Sequence, residues 1–398
     1  MIDRVLPKGV RWVGVLDRDR RTFDELIPLP DGTTYNAYLV TGAEKTALID
    51  TVDPAFTTVL LERLEQEGVK RLDYVISNHA EQDHSGSLPA VLERFPEAKV
   101  VSTPKGRGIL SDLLGIAGDR FLPVEDGASL PLGAKTLRFL HFPWAHWPET
   151  MVTWLEDDRV LFSCDLFGAH LATAEMVAPA GSAVPAARSY YAQIMMPYGR
   201  VIGGNLAKVT GLDIDLICPS HGPVLPQPQA VLGAYRAWLL DPPQNRAVIV
   251  YVSMHDSTRR MARHLADALA LRGVAVDLFD LAQTDLGELA SALVDAATIV
   301  FGSPTFVAGA HPLVANAAHL ICLLKPKARF AAIFGSYSWG GKMAGQISAL
   351  IQNLELELLE PVVARGLPKA ADLEALEGLA DAIAAKHAGL QDAAAASG

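Results

Sequence analysis

The stretch SNHAEQDHSG, residues 77–86, runs out of the apolar segment RLDYVIS. It carries His79, Glu81, Asp83 and His84 within six residues. Imidazoles and carboxylates crowded against a buried strand are costly unless a cation compensates them. The pattern recurs along the chain. KTLRFLHF leads to His146, RVLFSC ends in front of Asp165, and DLICPS leads to His221. Four apolar segments thus each deliver a metal-capable side chain just past their carboxyl ends, which is how a rigid scaffold makes one site from distant residues. Four imidazoles and three carboxylates are too many for one tetrahedral ion and suit two metals sharing a bridge. Asp165, standing alone, is the natural bridge. A single histidine in any of these segments is more often a core or surface residue than a ligand; the set carries the argument. His141 and His170 flank the candidates and suit supporting positions behind them. His264, His319 and His387 fall in helical patterns and read as ordinary helix residues.

The clearest boundary is LLDPPQNRAVIV. Pro242-Pro243 stops a helix near Leu240, and an apolar strand starts at Ala247. This predicts one domain over residues 1–243 and a second over 244–398. In the first, NAYLVTGAEKTALIDT reads as a hairpin and FTTVLLERLEQEG as an amphipathic helix closed by Gly68. In the second, AVIVYVS, VAVDLFD, TIVFGSP, RFAAIFGS and LELELLEP read as strands with helical patterns between them. Such alternation implies a doubly wound parallel sheet, in a length that suits the flavodoxin-like arrangement. ADLEALEGLADAIAAKHAGL is the last helix, and the tail DAAAASG is expected to fray.

Three loops of the second domain follow strand ends, where open α/β sheets bind ligands. VYVSMHDSTRRMA supplies Ser253, Met254, His255, Asp256, Ser257 and Thr258 at a helix start. Hydroxyls and unpaired backbone N–H groups there make an anion site. Neither a Walker loop nor G-x-G-x-x-G is present, so a single phosphate fits better than a dinucleotide. GSPTFVAGAHP contributes Pro304, Thr305, Phe306, Val307 and Ala308. GSYSWGGK contributes Gly335, Ser336, Tyr337, Ser338, Trp339 and Gly340. Tyr337 and Trp339 are candidates to flank a flat aromatic ring.

The balance of charge narrows the partners. At -11 over 398 residues, nucleic acid and anionic membrane are poor partners. No apolar run reaches membrane-spanning length, and the start shows no secretory signal pattern. Cys164, Cys218 and Cys322 are too scattered for a disulfide framework, and a reducing cytoplasm fits.

The order H-x-E-x-D-H, then His146, Asp165 and His221, resembles the metallo-β-lactamase superfamily in its flavodiiron form. Between His84 and His146, His146 and Asp165, and Asp165 and His221 there are 61, 18 and 55 residues. The hydrolase branch typically has His where this chain has Glu81. A carboxylate hardens that half-site and favours iron over zinc, which has no redox chemistry. The resemblance covers about residues 1–390. It implies an αβ/βα sandwich followed by a flavodoxin-like domain, one iron on His79, Glu81 and His146, another on Asp83, His84 and His221, and Asp165 between them. It also implies FMN in the three loops, although Val307 and Ala308 stand where the family often has Asn. RSYYAQIMMPYG looks family-like as well and suggests Tyr198 as a lining residue of the metal pocket.

The resemblance further implies reduction of dioxygen to water or of nitric oxide to nitrous oxide. Electrons would enter through FMN from an external donor such as rubredoxin or a reductase, because the chain has no cysteine pairs for a fused rubredoxin. A head-to-tail homodimer, or a dimer of dimers, is the family arrangement. Two rivals are a dinuclear zinc hydrolase with an attached flavodoxin domain, and an electron carrier whose metal site is vestigial. Glu81 argues against the first and the complete ligand set against the second.

Overall fold

The computed structural model describes residues 2–179 and 181–397, with side chains described as far as residue 390. The expected fraying of the tail from Asp392 onward lies outside the described side chains. The chain divides into two compact units, Met1–Leu239 and Leu240–Gly398. Pro242 and Pro243 stand between the helix Gln229–Leu240 and the strand Gln244–Tyr251.

The first unit holds a six-stranded and a five-stranded sheet. Alternation along the strands decides what fills the space between them. Tyr38, Val40, Ala47, Ile49 and Ile76 of the first sheet share one core with Leu137, Phe139, Met151, Val160, Phe162 and Cys218 of the second. The intervening residues Leu39, Leu48, Val75 and Val100 point the other way and pack under helix residues Leu60, Leu64, Val91 and Leu110. The predicted hairpin is present, Tyr38–Thr41 against Thr46–Ile49. The predicted helix spans Thr57–Gln66, with Gly68 just beyond it at φ 72°.

The carboxyl ends of four strands matter most. Tyr74–Ile76 stops three residues before His79, Val160–Cys164 directly before Asp165, and Leu216–Pro219 two residues before His221. Thr136–His141 ends five residues before His146. The last three belong to one sheet and the first to the other, so the candidate ligands gather at one edge of the sandwich.

The second unit is a parallel sheet in the order Ala275–Asp280, Gln244–Tyr251, Ala296–Phe306, Phe330–Tyr337, with the fifth position last. This is the 2-1-3-4-5 order of flavodoxin-like sheets. The fifth position differs from the expected continuous strand LELELLEP. Glu357–Leu358 pairs with Phe330 and Ala331, and a separate strand Val362–Arg365 pairs with Phe334–Tyr337. Pro361, which has no N–H to donate, lies between the two pieces. The helix Ala370–Ser397 packs Leu376, Leu379, Ala380 and Ile383 against the sheet and the helix Ser257–Leu271. His387 is more than an ordinary helix residue. It is buried, with Nε2 at 2.7 Å from Thr298 Oγ1 and Nδ1 at 2.8 Å from Asn245 Oδ1. Among the described residues no helix is long and apolar enough to cross a membrane.

Candidate active site

The seven predicted metal-capable side chains converge. His79 Nε2 lies 3.2 Å and His146 Nε2 3.0 Å from the same oxygen of Glu81, Oε2. Both nitrogens are also close to Asp165 Oδ2, at 3.6 and 3.5 Å. The other oxygen of Asp165, Oδ1, lies 3.0 Å from His84 Nε2 and 3.5 Å from His221 Nε2. Asp83 completes this second group, 3.3 Å from His84 and 3.1 Å from His221. Within each group, donor atoms all lie within 4.8 Å of one another. Asp165 therefore presents one oxygen to each set, as a bridging carboxylate does.

This donor set suits a pair of cations. His79, His84, Asp165 and His221 are buried. Both oxygens of Asp83 and of Asp165, and both nitrogens of His84, lie buried without a hydrogen bond. Polar atoms are rarely orphaned inside proteins without an ion or water to meet them. The protons that the metal-free cluster attracts tell the same story. Burial alone lowers the His79 pKa, but hydrogen bonds to Glu149 and Glu81 outweigh it and carry it to about 10. His146 is likewise raised to about 10, against burial, by Asp165 and Glu81. His84 reaches about 9 through Asp83 and Asp165. Burial favours the neutral acid at Asp165, yet His84, His146 and His79 hold it well below the usual carboxylate range. A cation relieves this excess of negative charge.

Local backbone sets the aim of these groups. Cys164, directly before Asp165, is in the left-handed region at φ 51°. Burial pushes its thiol pKa well up, which disfavours the thiolate as a ligand. Gly222 follows His221 at φ 82°, and a Cβ there would meet Ala169 O at 2.6 Å. Asn36 Nδ2 pins this turn by donating to Pro219 O and Gly222 O at 2.8 and 2.7 Å.

Several neighbours escaped sequence reasoning. Glu149 Oε1 accepts from His79 Nδ1 at 2.8 Å and from the Ala80 amide at 2.9 Å. The carbonyl oxygen of Thr34 lies 2.6 Å from His221 Nδ1. The His170 ring lies tilted beside His221, centroids 5.0 Å apart, as its flanking position suggested. His141 does not support the ligands; its Nε2 meets Val124 O at 2.9 Å and its amide donates to Asp126. Tyr198 stacks on Trp144 at 5.6 Å. It is Tyr190, from the same quoted stretch, whose ring lies 4.8 Å from His170 and 5.8 Å from His221. The Tyr190 hydroxyl is buried and unpartnered. Here α-helix Val184–Tyr190 passes into a π-helical turn, Tyr191–Met195, so regular helical spacing does not reveal which tyrosine faces the cluster.

In the second unit, a cavity of about 210 Å³ opens where the strand-end loops meet. Ser253, Met254, His255, Ser257, Thr258, Pro304, Thr305, Ser336, Tyr337 and Ser338 line it. Ser253 Oγ and Thr305 Oγ1 are buried without a partner, an arrangement that accepts a polar ligand. Asp256 turns away instead, and its carboxylate pairs with Arg259 and Arg260 at 3.2 and 2.9 Å. Gly335 lies within the strand, where a Cβ would meet Ser303 O and Met343 Cε. Phe306, Val307 and Trp339 are exposed on the surrounding loops. Ala308 and Gly340 are neighbours, since a Cβ on Gly340 would lie 3.4 Å from Ala308 Cβ. Gly366 and Leu367 also line the cavity. They follow the strand Val362–Arg365, whose position the sequence pattern misplaced.

Known proteins share this organisation. Residues 33–222 match the family described as ODP family beta lactamase, and residues 249–378 match flavodoxin. The nitric oxide reductase of Moorella thermoacetica is 34% identical over 390 residues, covering 96% of this chain and 98% of that one. The coenzyme F420H(2) oxidase of Methanothermobacter marburgensis is 36% identical over 358 residues, covering 86% and 88%. The solved rubredoxin oxygen:oxidoreductase of Desulfovibrio gigas superposes with a TM-score of 0.90 at 30% identity, covering 97% and 98%. All three names are those of oxidoreductases, which favours the redox reading over the zinc hydrolase. With a β-lactamase-like domain joined to a flavodoxin domain along nearly its whole length, the chain belongs to the flavodiiron family of FMN- and diiron-containing oxidoreductases, the type A flavoproteins.

Proposed function

We propose that this chain reduces dioxygen to water, nitric oxide to nitrous oxide, or both, with electrons passing through FMN from a separate donor protein or reductase. The observation that carries this reading is the pair of ligand sets sharing Asp165, with Glu81 in the position that hydrolases give to histidine. His79, Glu81 and His146 would hold one iron, Asp83, His84 and His221 the other, and Asp165 would bridge. The irons supply the one-electron chemistry that zinc lacks.

The protein's own groups orient and charge the site. Glu149 accepts from His79 Nδ1, and the Thr34 carbonyl from His221 Nδ1. Each contact places the ring proton on Nδ1 and leaves Nε2 free for a metal. Tyr190 Oη and His170 Nε2 are buried and unpartnered, and their rings lie 5.8 and 5.0 Å from His221, where they are available for proton handling. In the second unit, Ser253, Ser257, Thr258 and the first N–H groups of the helix Ser257–Leu271 suit a phosphate. The cavity, about 210 Å³, is smaller than a typical pocket for a whole ligand. It suits the phosphate-bearing arm of FMN and leaves the ring at the exposed loops.

Rubredoxin or a flavin reductase is the class of donor we favour, and a head-to-tail homodimer or a dimer of dimers is the assembly. The three cysteines are free, in keeping with a reducing cytoplasm. Protein reduced anaerobically with a chemical reductant and then given measured additions of dioxygen or nitric oxide tests the reading. Uptake of dioxygen or nitric oxide should require both iron and FMN. Thioester or lactone hydrolysis by the zinc-loaded protein, without gas uptake by the iron form, would refute it.

A further inference from the structure

The two halves of the cluster carry equal ligand charge. Each has two imidazoles and one carboxylate, with Asp165 shared between them. What lies behind them differs. His79 Nδ1 rests on a second carboxylate, Glu149, at 2.8 Å. Glu149 is 2% exposed, and its Oε1 also accepts from the Ala80 amide at 2.9 Å. The Thr103 hydroxyl donates to its backbone carbonyl at 3.0 Å, which fixes the segment. In the other half, His221 Nδ1 rests on a neutral peptide carbonyl, Thr34 O, and His84 Nδ1 has no partner. Asp50 is the other buried carboxylate nearby; it interacts with His84 through space, but no hydrogen bond joins it to that ring. Asn78 occupies both of its oxygens, at 2.8 and 2.9 Å.

A carboxylate behind a ligating imidazole makes it a stronger donor. A stronger donor stabilises the higher oxidation state of the iron that it holds. We propose that Glu149 makes the two iron positions unequal, so that iron on His79, Glu81 and His146 has the lower reduction potential and is the last of the pair to be reduced. Each reduction adds one electron, supplied by the donor through FMN, and breaks no bond. Glu149 is a positioning residue that acts through His79. The inference rests on the presence of two irons, and the experiment separates that premise from the inference.

The test is a redox titration of the full-length, ⁵⁷Fe-loaded holoprotein, followed by Mössbauer and EPR spectroscopy, for the wild type and Glu149→Gln. Glutamine retains an oxygen that accepts from His79 and Ala80 but removes the charge. The wild type should reduce in two one-electron stages with an EPR-active half-reduced form between them. In the variant only the lower midpoint should rise, and the comproportionation constant should fall about tenfold, the low end of typical outer-shell effects on metal sites. The FMN midpoints should stay in place. Glu149→Asp, which keeps the charge, should shift the constant less. A single two-electron stage in the wild type overturns the proposal even if the variant does not fold. So does a rise of the upper midpoint, an equal rise of both, or no change in either midpoint of the iron-loaded variant. Failure to load iron at all counts against the functional reading instead.

Discussion

The metal cluster and the flavin cavity are built in opposite ways. The cluster is made of side chains: seven charged or ring groups, most of them buried, each delivered past a strand end. The cavity is made of loops: hydroxyls, a helix start and exposed apolar residues, with Trp339 at 68% and Val307 at 80% exposure. Taking charge out of water demands specific partners, so the cluster tolerates little change. A cradle of hydroxyls and backbone amides spreads recognition over many small contacts.

The largest expected effect therefore belongs to Asp165. Asp165→Ala removes the one group that serves both ligand sets. Loss of several kcal/mol of metal-dependent stabilisation, roughly a thousandfold in rate, should show in oxygen and nitric oxide uptake. FMN content should stay at the wild-type level. Flavin lost together with activity would mean that the two regions are not independent.

Glu81→His tests the carboxylate that distinguishes this cluster from a zinc hydrolase. It should raise the zinc-to-iron ratio of protein purified from ordinary medium by roughly tenfold, read by elemental analysis. An unchanged ratio would remove the argument from ligand hardness. In the flavin cavity, Ser253→Ala deletes one hydroxyl with no partner in the protein. If that hydroxyl contacts the phosphate, FMN affinity should weaken by roughly 10- to 100-fold, the range for a hydrogen bond to a charged group. Iron content should not move.

A pH effect should appear in the first unit of the metal-free protein. His79, His84 and His146 have folded-state pKa values raised to about 10, 9 and 10. Their contribution to stability is fully present below the unfolded value, about 6.5, and is lost as pH rises through 9 to 10. The thermal denaturation midpoint of the apo protein should fall across that interval. Bound metal should flatten the trend. The smallest effect belongs to the flavin loops. Val307 and Ala308 have φ of 45° and 66° between the paired residues Phe306 and Gly309. Val307→Gly should relieve about 1 kcal/mol of backbone strain, seen as a slight rise in denaturation midpoint.

The same contrast explains what the sequence disclosed. His79, Glu81, Asp83, His84, His146, Asp165 and His221 stood out because charged groups next to apolar strands have few explanations. The flavin loops were found from their places after strands, but individual contacts were not. Phe306, Val307 and Trp339 lie exposed on the surrounding loops, while Gly366 and Leu367 entered the lining unannounced. The cause was Pro361, which splits the fifth strand and moves the loop that follows it. Glu149 and Tyr190 were missed for another reason. Nothing in local periodicity marks a carboxylate behind a ligand, and the π-helical turn after Tyr190 breaks the spacing by which a helix face is read.

Metal and flavin content per chain, measured by elemental analysis and absorbance on protein purified without added metal, tests the central claim most directly. Two irons and one FMN per chain, with iron falling and FMN persisting in Asp165→Ala, is the predicted result. Two zincs that iron cannot replace under anaerobic reconstitution would contradict it and return the hydrolase to first place.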